Sequence, residues 1–313
     1  MDASNRFSRP GRSSLKMARL ILHSDDFGLN NEVNSAILDA AQRRVLGSAS
    51  LMTNGLAAED ALDKARDCAG FGVGLHLNIV RGRPLSNPED IPTLVDDDGR
   101  FLNSVARLMA KSASGKLSAV EVEAEYRRQI EFMLNRNYIP THLDGEKHTH
   151  ILIPEATQAV SRLSGEFNIG KVRLINEKAL LGELRRQGVA VKGSQLQRIK
   201  LELLEWRSRK VSRMWGGLRH PDATFGVLLS GNTRYPDAID LLKAFVAQEG
   251  TDTIEWMFHL GYPFEENDAG FRNEFGQFFL GKARQEEMEF LLSDEVAEII
   301  GNHINQFGSY SIL

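Results

Sequence analysis

The chain has 313 residues, of which 42% are hydrophobic and 26% charged, and its formal net charge at pH 7 is −4. This composition is typical of a globular protein that buries a sizeable core, and it excludes the strongly basic balance of many nucleic-acid-binding proteins. The sequence contains one cysteine and therefore no internal disulfide, and no apolar run reaches the roughly 18–20 residues that cross a bilayer.

Residues 1–17 are predicted to form a disordered tail, because they are polar and basic and lack the apolar stretch of a secretory signal. We expect a cytoplasmic protein with no nucleic-acid partner and no transmembrane segment. Residues 18–313 are predicted to form a single domain, since no convincing linker interrupts them.

The first part of that domain alternates between short apolar runs and amphipathic stretches. Three strands are predicted, at 18–23, 48–52 and 71–77. One helix follows the first strand, with Asn30 or Asn31 as its N-cap, and a second helix covers 57–68. This β-α-β-α-β order predicts a parallel sheet, either doubly wound or closed into a barrel. In both architectures functional groups collect at the carboxyl ends of the strands.

The rest of the chain continues the alternation less regularly, after a long loop at 80–104. Further strands are predicted at 140–144, 171–175 and 253–259. Further helices are predicted at 119–135, 178–215, 237–248 and 286–304. Residues 171–220 are strongly basic, with 13 Lys and Arg against 4 Asp and Glu. We interpret the helices near 178–220 as an inserted region with a solvated basic face; the alternative is a surface for phosphates of a substrate or a membrane.

Polar residues with the chemistry of a metal site follow three of the predicted strands. Asp25 and Asp26 are adjacent carboxylates, which are costly to bury unless a cation balances them. Taken alone, this pair also fits a helix N-terminus, and His76 also fits a satisfied core histidine. The strongest signal is a run of imidazoles and carboxylates in nine residues, namely His142, Asp144, Glu146, His148 and His150. This density favours a first-row divalent metal over a polar surface loop.

Six motifs occur in an order that resembles the YdjC-type carbohydrate deacetylases. They are Leu-His-Ser-Asp-Asp-Phe-Gly-Leu, Ser-Ala-Ser-Leu-Met-Thr-Asn, Val-Gly-Leu-His-Leu-Asn, Pro-Thr-His-Leu-Asp, Val-Arg-Leu and Trp-Met-Phe-His-Leu-Gly-Tyr, and the resemblance runs from about residue 20 to residue 313. It implies an irregular β/α barrel of about seven parallel strands, related to the polysaccharide deacetylases. It also implies one divalent metal ion, Mg²⁺ or Zn²⁺, and removal of the acetyl group from an N-acetylated amino sugar.

The resemblance also implies roles for individual residues. Asp26 and His76 would bind the metal, Asp25 would be the general base, and His259 would stand near the leaving amine. The family pattern often has a histidine as a further metal ligand at the position of Glu146. Glutamate can ligate a divalent metal through oxygen, and His148 or His142 is the alternative.

Four further residues are predicted around the substrate, in contact with it or in support of the ligands. Arg173 lies at a predicted strand end, where a contact to a phosphate or carboxylate and a surface salt bridge are equally expected. His142, Asp144 and His150 complete the set, with His150 expected to support the ligands from a second layer.

Two other functions remain open at this stage. One keeps the metal but hydrolyses a phosphoester or another amide, because fold and ligands alone do not fix the reaction. The other is a non-catalytic glycan-binding protein on the same scaffold, which the change at Glu146 makes more credible. The expected partner is an acetamido sugar, with a phosphorylated or lipid-linked form of the sugar as an alternative. A peripheral membrane contact and a homodimer are further alternatives for the protein.

Overall fold

The computed structural model describes residues 17–189, 191, 193–229, 238–249, 251–263, 275 and 282–313. In these residues, six strands form one sheet: β1 (Arg19–Phe27), β2 (Ser48–Leu51), β3 (Gly72–Leu77), β4 (Leu143–Gly145), β5 (Ala223–Phe225) and β6 (Thr253–Phe258). Their order is β4-β3-β2-β1-β6-β5 and every pair is parallel. The predicted parallel sheet is therefore confirmed, as a half-barrel of six strands.

The predicted strand at 171–175 is not one of the six. It makes only two isolated bridges, Val172 with Leu143 of β4 and Lys171 with Arg219. Its backbone hydrogen bonds are divided between these two neighbours. Leu143 donates to the Lys171 carbonyl and accepts from the Arg173 N–H, each at 3.0 Å, and the Val172 N–H donates to the Arg219 carbonyl at 2.9 Å. Because no neighbour follows it for more than a residue or two, the segment is extended without becoming a strand.

Helices connect the strands and cover the sheet. They are α1 (Asn31–Gln42), α2 (Ala58–Ala65), α3 (Val105–Ala113), α4 (Ala119–Leu134), α5 (Thr149–Leu152), α6 (Pro154–Glu166), α7 (Lys178–Arg186), α8 (Gln195–Met214), α9 (Ala238–Val246), α10 (Lys282–Leu291) and α11 (Asp294–Asn302). The Asn30 side chain caps α1 by accepting the Val33 N–H at 2.9 Å, as predicted. The predicted start of α9 at Asp237 and the tail at 1–16 lie outside the described residues.

Two predicted helices are each divided into two by a serine cap. Ser194 begins α8 in a capping box with Gln197, so that 178–215 is α7 and α8 and not one helix. Ser293 accepts the Val296 N–H and begins α11, so that the predicted helix at 286–304 is likewise two. In both places the hydroxyl satisfies N–H groups that a continuous helix would have bonded to its own carbonyls.

The strands are buried on both faces, since only Arg19 among the residues of β1 to β6 is not fully buried. This is the pattern of a parallel sheet covered by helices. No helix in the described part of the chain is long and apolar enough to cross a membrane. The carboxyl ends of the strands all lie at one end of the sheet, and the polar residues of the sequence analysis collect there.

Candidate metal and active site

The end of β1 is a corner that turns both aspartates towards one place. Neighbours in a regular strand point to opposite faces. Here Asp26 has a left-handed backbone, with φ of 67°, and the register between β1 and β2 shifts between Ser24 and Phe27. Such an irregularity re-aims side chains beside active sites. Asp25 and Asp26 are both buried, at 4% and 1% exposure, and both border one cavity.

His76 is fixed by its neighbour across the sheet. His76 of β3 and Asp144 of β4 are register partners, and the imidazole Nδ1–H donates to Asp144 Oδ1 at 2.8 Å. Burial alone would raise the pKa of Asp144, but Arg173 and His76 outweigh it and hold this pKa well below its usual value. The ionised carboxylate therefore sets the ring orientation and points Nε2 of His76 into the site.

Two carboxylates converge at that nitrogen. Glu146 Oε2 lies 3.3 Å and Asp26 Oδ1 lies 3.8 Å from His76 Nε2. The ligand atoms of Asp26, His76 and Glu146 all lie within 4.8 Å of one another. One imidazole and two carboxylates together are the donor chemistry of a hydrolytic divalent metal.

The second oxygen of each carboxylate is held by an arginine. Arg284 donates to Asp26 Oδ2, and Arg81 Nε donates to Glu146 Oε1 at 2.6 Å. Each carboxylate thus has one oxygen fixed and the other turned towards His76. Hydrogen bonds that orient ligands in this way are characteristic of metal sites. The residues present therefore fit a divalent cation.

Asp25 belongs to a buried charge network beneath the cavity. Arg173, which is completely buried, contacts Asp25 Oδ1 and Asp144 Oδ2, each at 2.9 Å. It also contacts Glu255 of β6 at 2.7 Å, and Glu255 accepts the Tyr310 hydroxyl at 2.7 Å. Burial alone would raise the pKa of Asp25, but Arg173 and His23 hold it well below its usual value. Asp25 is therefore ionised at neutral pH.

His142 is buried and is not among the residues that line the cavity. Its ring stacks on Tyr310 with centroids 3.5 Å apart and planes 3° apart, and it packs where a side chain on Gly74 would collide with it. Burial lowers the pKa of His142 to about 4, so the ring is neutral. The possible metal-ligand atoms of His23, His142 and Asp144 also lie close together. The guanidinium group of Arg173 already supplies a cation to the Asp144 carboxylate, however.

The other predicted histidines differ in whether they border the cavity. His259 follows β6 and borders the cavity, with Nε2 at 3.9 Å from Asp25 Oδ2. His148 also borders the cavity, and in the described part of the chain its Nδ1 has no hydrogen-bond partner. His150 is turned away, because its Nε2–H donates to the Arg173 carbonyl at 3.0 Å. Arg173, His142, Asp144 and His150 are all completely buried, so their predicted roles at the substrate stay predictions.

The cavity has a volume of about 590 Å³. Its polar end carries the aspartates, His76, Glu146 and His259, and the rest is bordered mainly by α3, α8 and the residues after β5. A partly open cavity of this size can hold a small-molecule ligand, one end of which would meet the charged residues.

Several residues of the site are absent from the sequence predictions. His23 and Glu255 left a signal, since His23 lies two residues before Asp25 on one strand face and Glu255 is the single charge in an apolar strand. Arg81, Arg284 and Tyr310 left none, because they come from loops or helices with no local pattern.

Comparisons with known proteins agree with the resemblance. The YdjC-like protein family matches residues 19–302. A carbohydrate deacetylase of Clostridium beijerinckii is 35% identical over 151 residues, which cover 48% of this chain and 58% of that protein. A carbohydrate deacetylase of Danio rerio is 26% identical over 273 residues, which cover 80% and 84%. The chain thus spans less than two thirds of the bacterial relative.

A solved structure is similar over nearly the whole fold. It is an Enterococcus faecalis V583 protein provisionally described as a cellobiose-phosphate cleavage protein, with a TM-score of 0.69, 20% identity and coverage of 95% of this chain and 99% of that one. At this identity the likeness shows the fold alone.

Proposed function

The chain belongs to the YdjC-like family, and on that premise we propose that it is a metal-dependent hydrolase that removes the acetyl group from an N-acetylated amino sugar. The observation that carries the proposal is the convergence of Asp26 Oδ1, His76 Nε2 and Glu146 Oε2 beside the ionised Asp25. The names of the relatives, carbohydrate deacetylases, support the substrate class.

Asp26, His76 and Glu146 would hold the ion, with Glu146 taking the place that a histidine often has in the family. When bound, a divalent cation supplies a Lewis acid for the acetyl oxygen and lowers the pKa of water. We propose Mg²⁺ or Zn²⁺, because two carboxylates and one imidazole suit either a hard or a borderline cation.

Asp25 takes the proton of the attacking water in this proposal. Its carboxylate is ionised and fixed by Arg173, so it needs no reorientation as the proton arrives. His259, whose Nε2 lies 3.9 Å from Asp25 Oδ2, gives a proton to the departing amine. The water oxygen becomes part of acetate, and the C–N bond breaks to leave the free amino sugar.

The finer features of the sequence analysis are proposals of the same kind. We propose that the segment 171–175 extends the half-barrel towards closure, which its hydrogen bonds to Leu143 on one side and to Arg219 on the other support. A cytoplasmic location, a homodimer and a phosphorylated or lipid-linked sugar also stay proposals.

The test is acetate release from N-acetylglucosamine, chitobiose and their alkyl glycosides, with Mg²⁺ or Zn²⁺ added after chelation. We expect Asp25→Asn to bind the metal but to lose at least about 10³-fold in kcat, and Asp26→Asn to lose metal affinity. Asp63→Asn, on the exposed face of α2, is the matched control. Metal binding without acetate release from any sugar would instead favour another hydrolysis or a glycan-binding role.

A further inference from the structure

Part of the cavity wall is apolar and exposed to solvent. Met109 of α3 and Leu196, Ile199 and Leu203 of α8 border the cavity, and their exposed fractions are 38%, 76%, 59% and 39%. A contiguous patch of large apolar side chains that are exposed to solvent usually marks a binding surface.

The helix α8 has two apolar faces. Leu201, Leu204 and Val211 point into the core. Leu196, Ile199 and Leu203 are spaced by three and four residues, which places them on one other side of the helix. Trp206 continues this side and is 52% exposed. The basic segment is thus not only a solvated charged face, because it presents a continuous apolar strip beside the cavity.

Two lysines border the same cavity. Lys147 follows Glu146 directly, and Lys200 follows Ile199, so one adjoins the metal cluster and the other adjoins the apolar strip. Within the described part of the chain, neither ammonium group makes a hydrogen bond or an ion pair. Cations that border a cavity without a direct hydrogen bond or ion pair attract an anionic group of a ligand.

We propose that the substrate is amphiphilic, an acetamido sugar joined through a phosphate to an apolar chain that lies on the α3 and α8 wall. The proposal rests on the proposed deacetylase function. It assigns three parts of the cavity to three parts of one ligand: the cluster around His76 to the acetamido group, Lys147 and Lys200 to the phosphate, and Ile199, Leu203 and Met109 to the chain.

Binding to the Asp25→Asn variant with Mg²⁺ tests the inference without turnover. The probes are the decyl and the methyl phosphodiesters of N-acetylglucosamine and the neutral decyl glycoside, all below their micelle concentrations. We expect the decyl phosphodiester to bind about 100-fold more tightly than its methyl counterpart, since only a few methylenes need be buried. We expect it to bind about tenfold more tightly than the neutral glycoside.

Variants assign these preferences to residues. Ile199→Ser with Leu203→Ser should lower the decyl preference at least about tenfold, and Lys200→Gln should lower the phosphate preference. Ile139→Ser and Lys116→Gln are the matched controls, because both residues are exposed and neither lines the cavity. The controls should retain both preferences.

Three outcomes would overturn the inference. The first is equal binding of the decyl and methyl compounds. The second is a lower melting temperature of the Ile199 and Leu203 variant with an unchanged decyl preference, which would show that the strip packs against this chain. The third is binding to anionic phospholipid vesicles, lost in that variant, with no decyl preference in solution, which would assign the strip to a membrane surface. Acetate release from the methyl compound by the unaltered protein tests the proposed function separately.

Discussion

The Nδ1 atom of His76 lies 2.8 Å from Oδ1 of Asp144, and the two residues are direct partners in the register of β3 and β4. The sheet itself therefore aligns the imidazole. Its Nε2 faces Asp26 and Glu146, so the orientation of one candidate metal ligand is set by a carboxylate that lies outside the ligand set.

Replacing that carboxylate should weaken metal binding. We expect Asp144→Asn to reduce metal affinity about 10- to 100-fold, because the amide holds the ring less firmly and donates less electron density through it. Titration of the chelated protein with Zn²⁺ measures the effect, and Asp63→Asn is the control. Affinity equal to that of the unaltered protein would show that Asp144 serves the buried network alone.

Metal affinity should also depend on pH. Burial alone would lower the pKa of His76, but Asp144 and Glu146 raise it well above its usual value. The imidazole is then protonated at neutral pH and must release a proton to bind a cation. We expect affinity to fall about tenfold for each pH unit of acidification around neutrality. Calorimetry in two buffers of different ionisation enthalpy measures the released proton, and no release would contradict the assignment of His76.

The substitution at Glu146 offers a direct test of the ligand set. Glu146→Ala should abolish metal binding, since only one imidazole and one carboxylate remain. Glu146→His restores the residue type that the family often has, and it should retain binding while shifting preference from Mg²⁺ to Zn²⁺. Competition between the two ions measures the shift. Both variants remove the carboxylate that contacts Arg81. A difference in metal affinity between the two variants therefore does not arise from the loss of that contact. Unchanged binding in Glu146→Ala would contradict the proposed ligand set.

Glu177 should make the fold less stable as the pH rises. It is completely buried at the start of α7, where it accepts the N–H groups of Val227 and Leu228, and burial raises its pKa from 4.5 to about 7. Glu205, which caps the same turn, is the nearest acid, and Lys200 is the facing cation.

The pKa of Glu177 is higher in the folded state than in the unfolded state. The stability that its protonated carboxyl group contributes is therefore complete below pH 4.5 and is lost as the pH rises through 7. The loss amounts to about 3 kcal/mol. Glu177→Gln should remove it, so the difference in free energy of unfolding between variant and unaltered protein should change by that amount between pH 4.5 and 8. Urea unfolding at both pH values measures it, with Glu298→Gln as the control. A difference that does not vary with pH would exclude the assignment.

The sequence predicted the positions that local patterns determine. Apolar runs located the five strands β1, β2, β3, β4 and β6, and the strand ends located Asp25, His76 and Glu146. The short β5 was missed, since three residues carry too little periodicity to recognise. The segment 171–175 has a strand-like sequence, but its backbone hydrogen bonds are divided between Leu143 and Arg219, and neither neighbour follows it further.

Long-range partners could not be predicted. Asp26 and Arg284 are 258 residues apart, and no spacing in α10 distinguishes this arginine from those that face solvent. The left-handed conformation of Asp26 was equally hidden, because such a backbone is imposed by the surrounding structure on a residue that does not require it. Tertiary packing therefore decides how the acids are paired, while the sequence pattern decides where they lie.

The buried network that ionises Asp25 has a consequence for the order in which the molecule matures. Arg173 contacts Glu255 beneath the cavity, and Tyr310 supplies a hydrogen bond to Glu255 and a stacking surface for His142. During synthesis on the ribosome, the network cannot be complete until residue 310 has emerged. A shorter nascent chain would bury Glu255 without one of its donors, at a cost of about 1–3 kcal/mol. Glu255 therefore depends on a donor that lies 55 positions later in the chain, and the charged end of the sheet is completed only after that residue has been synthesised.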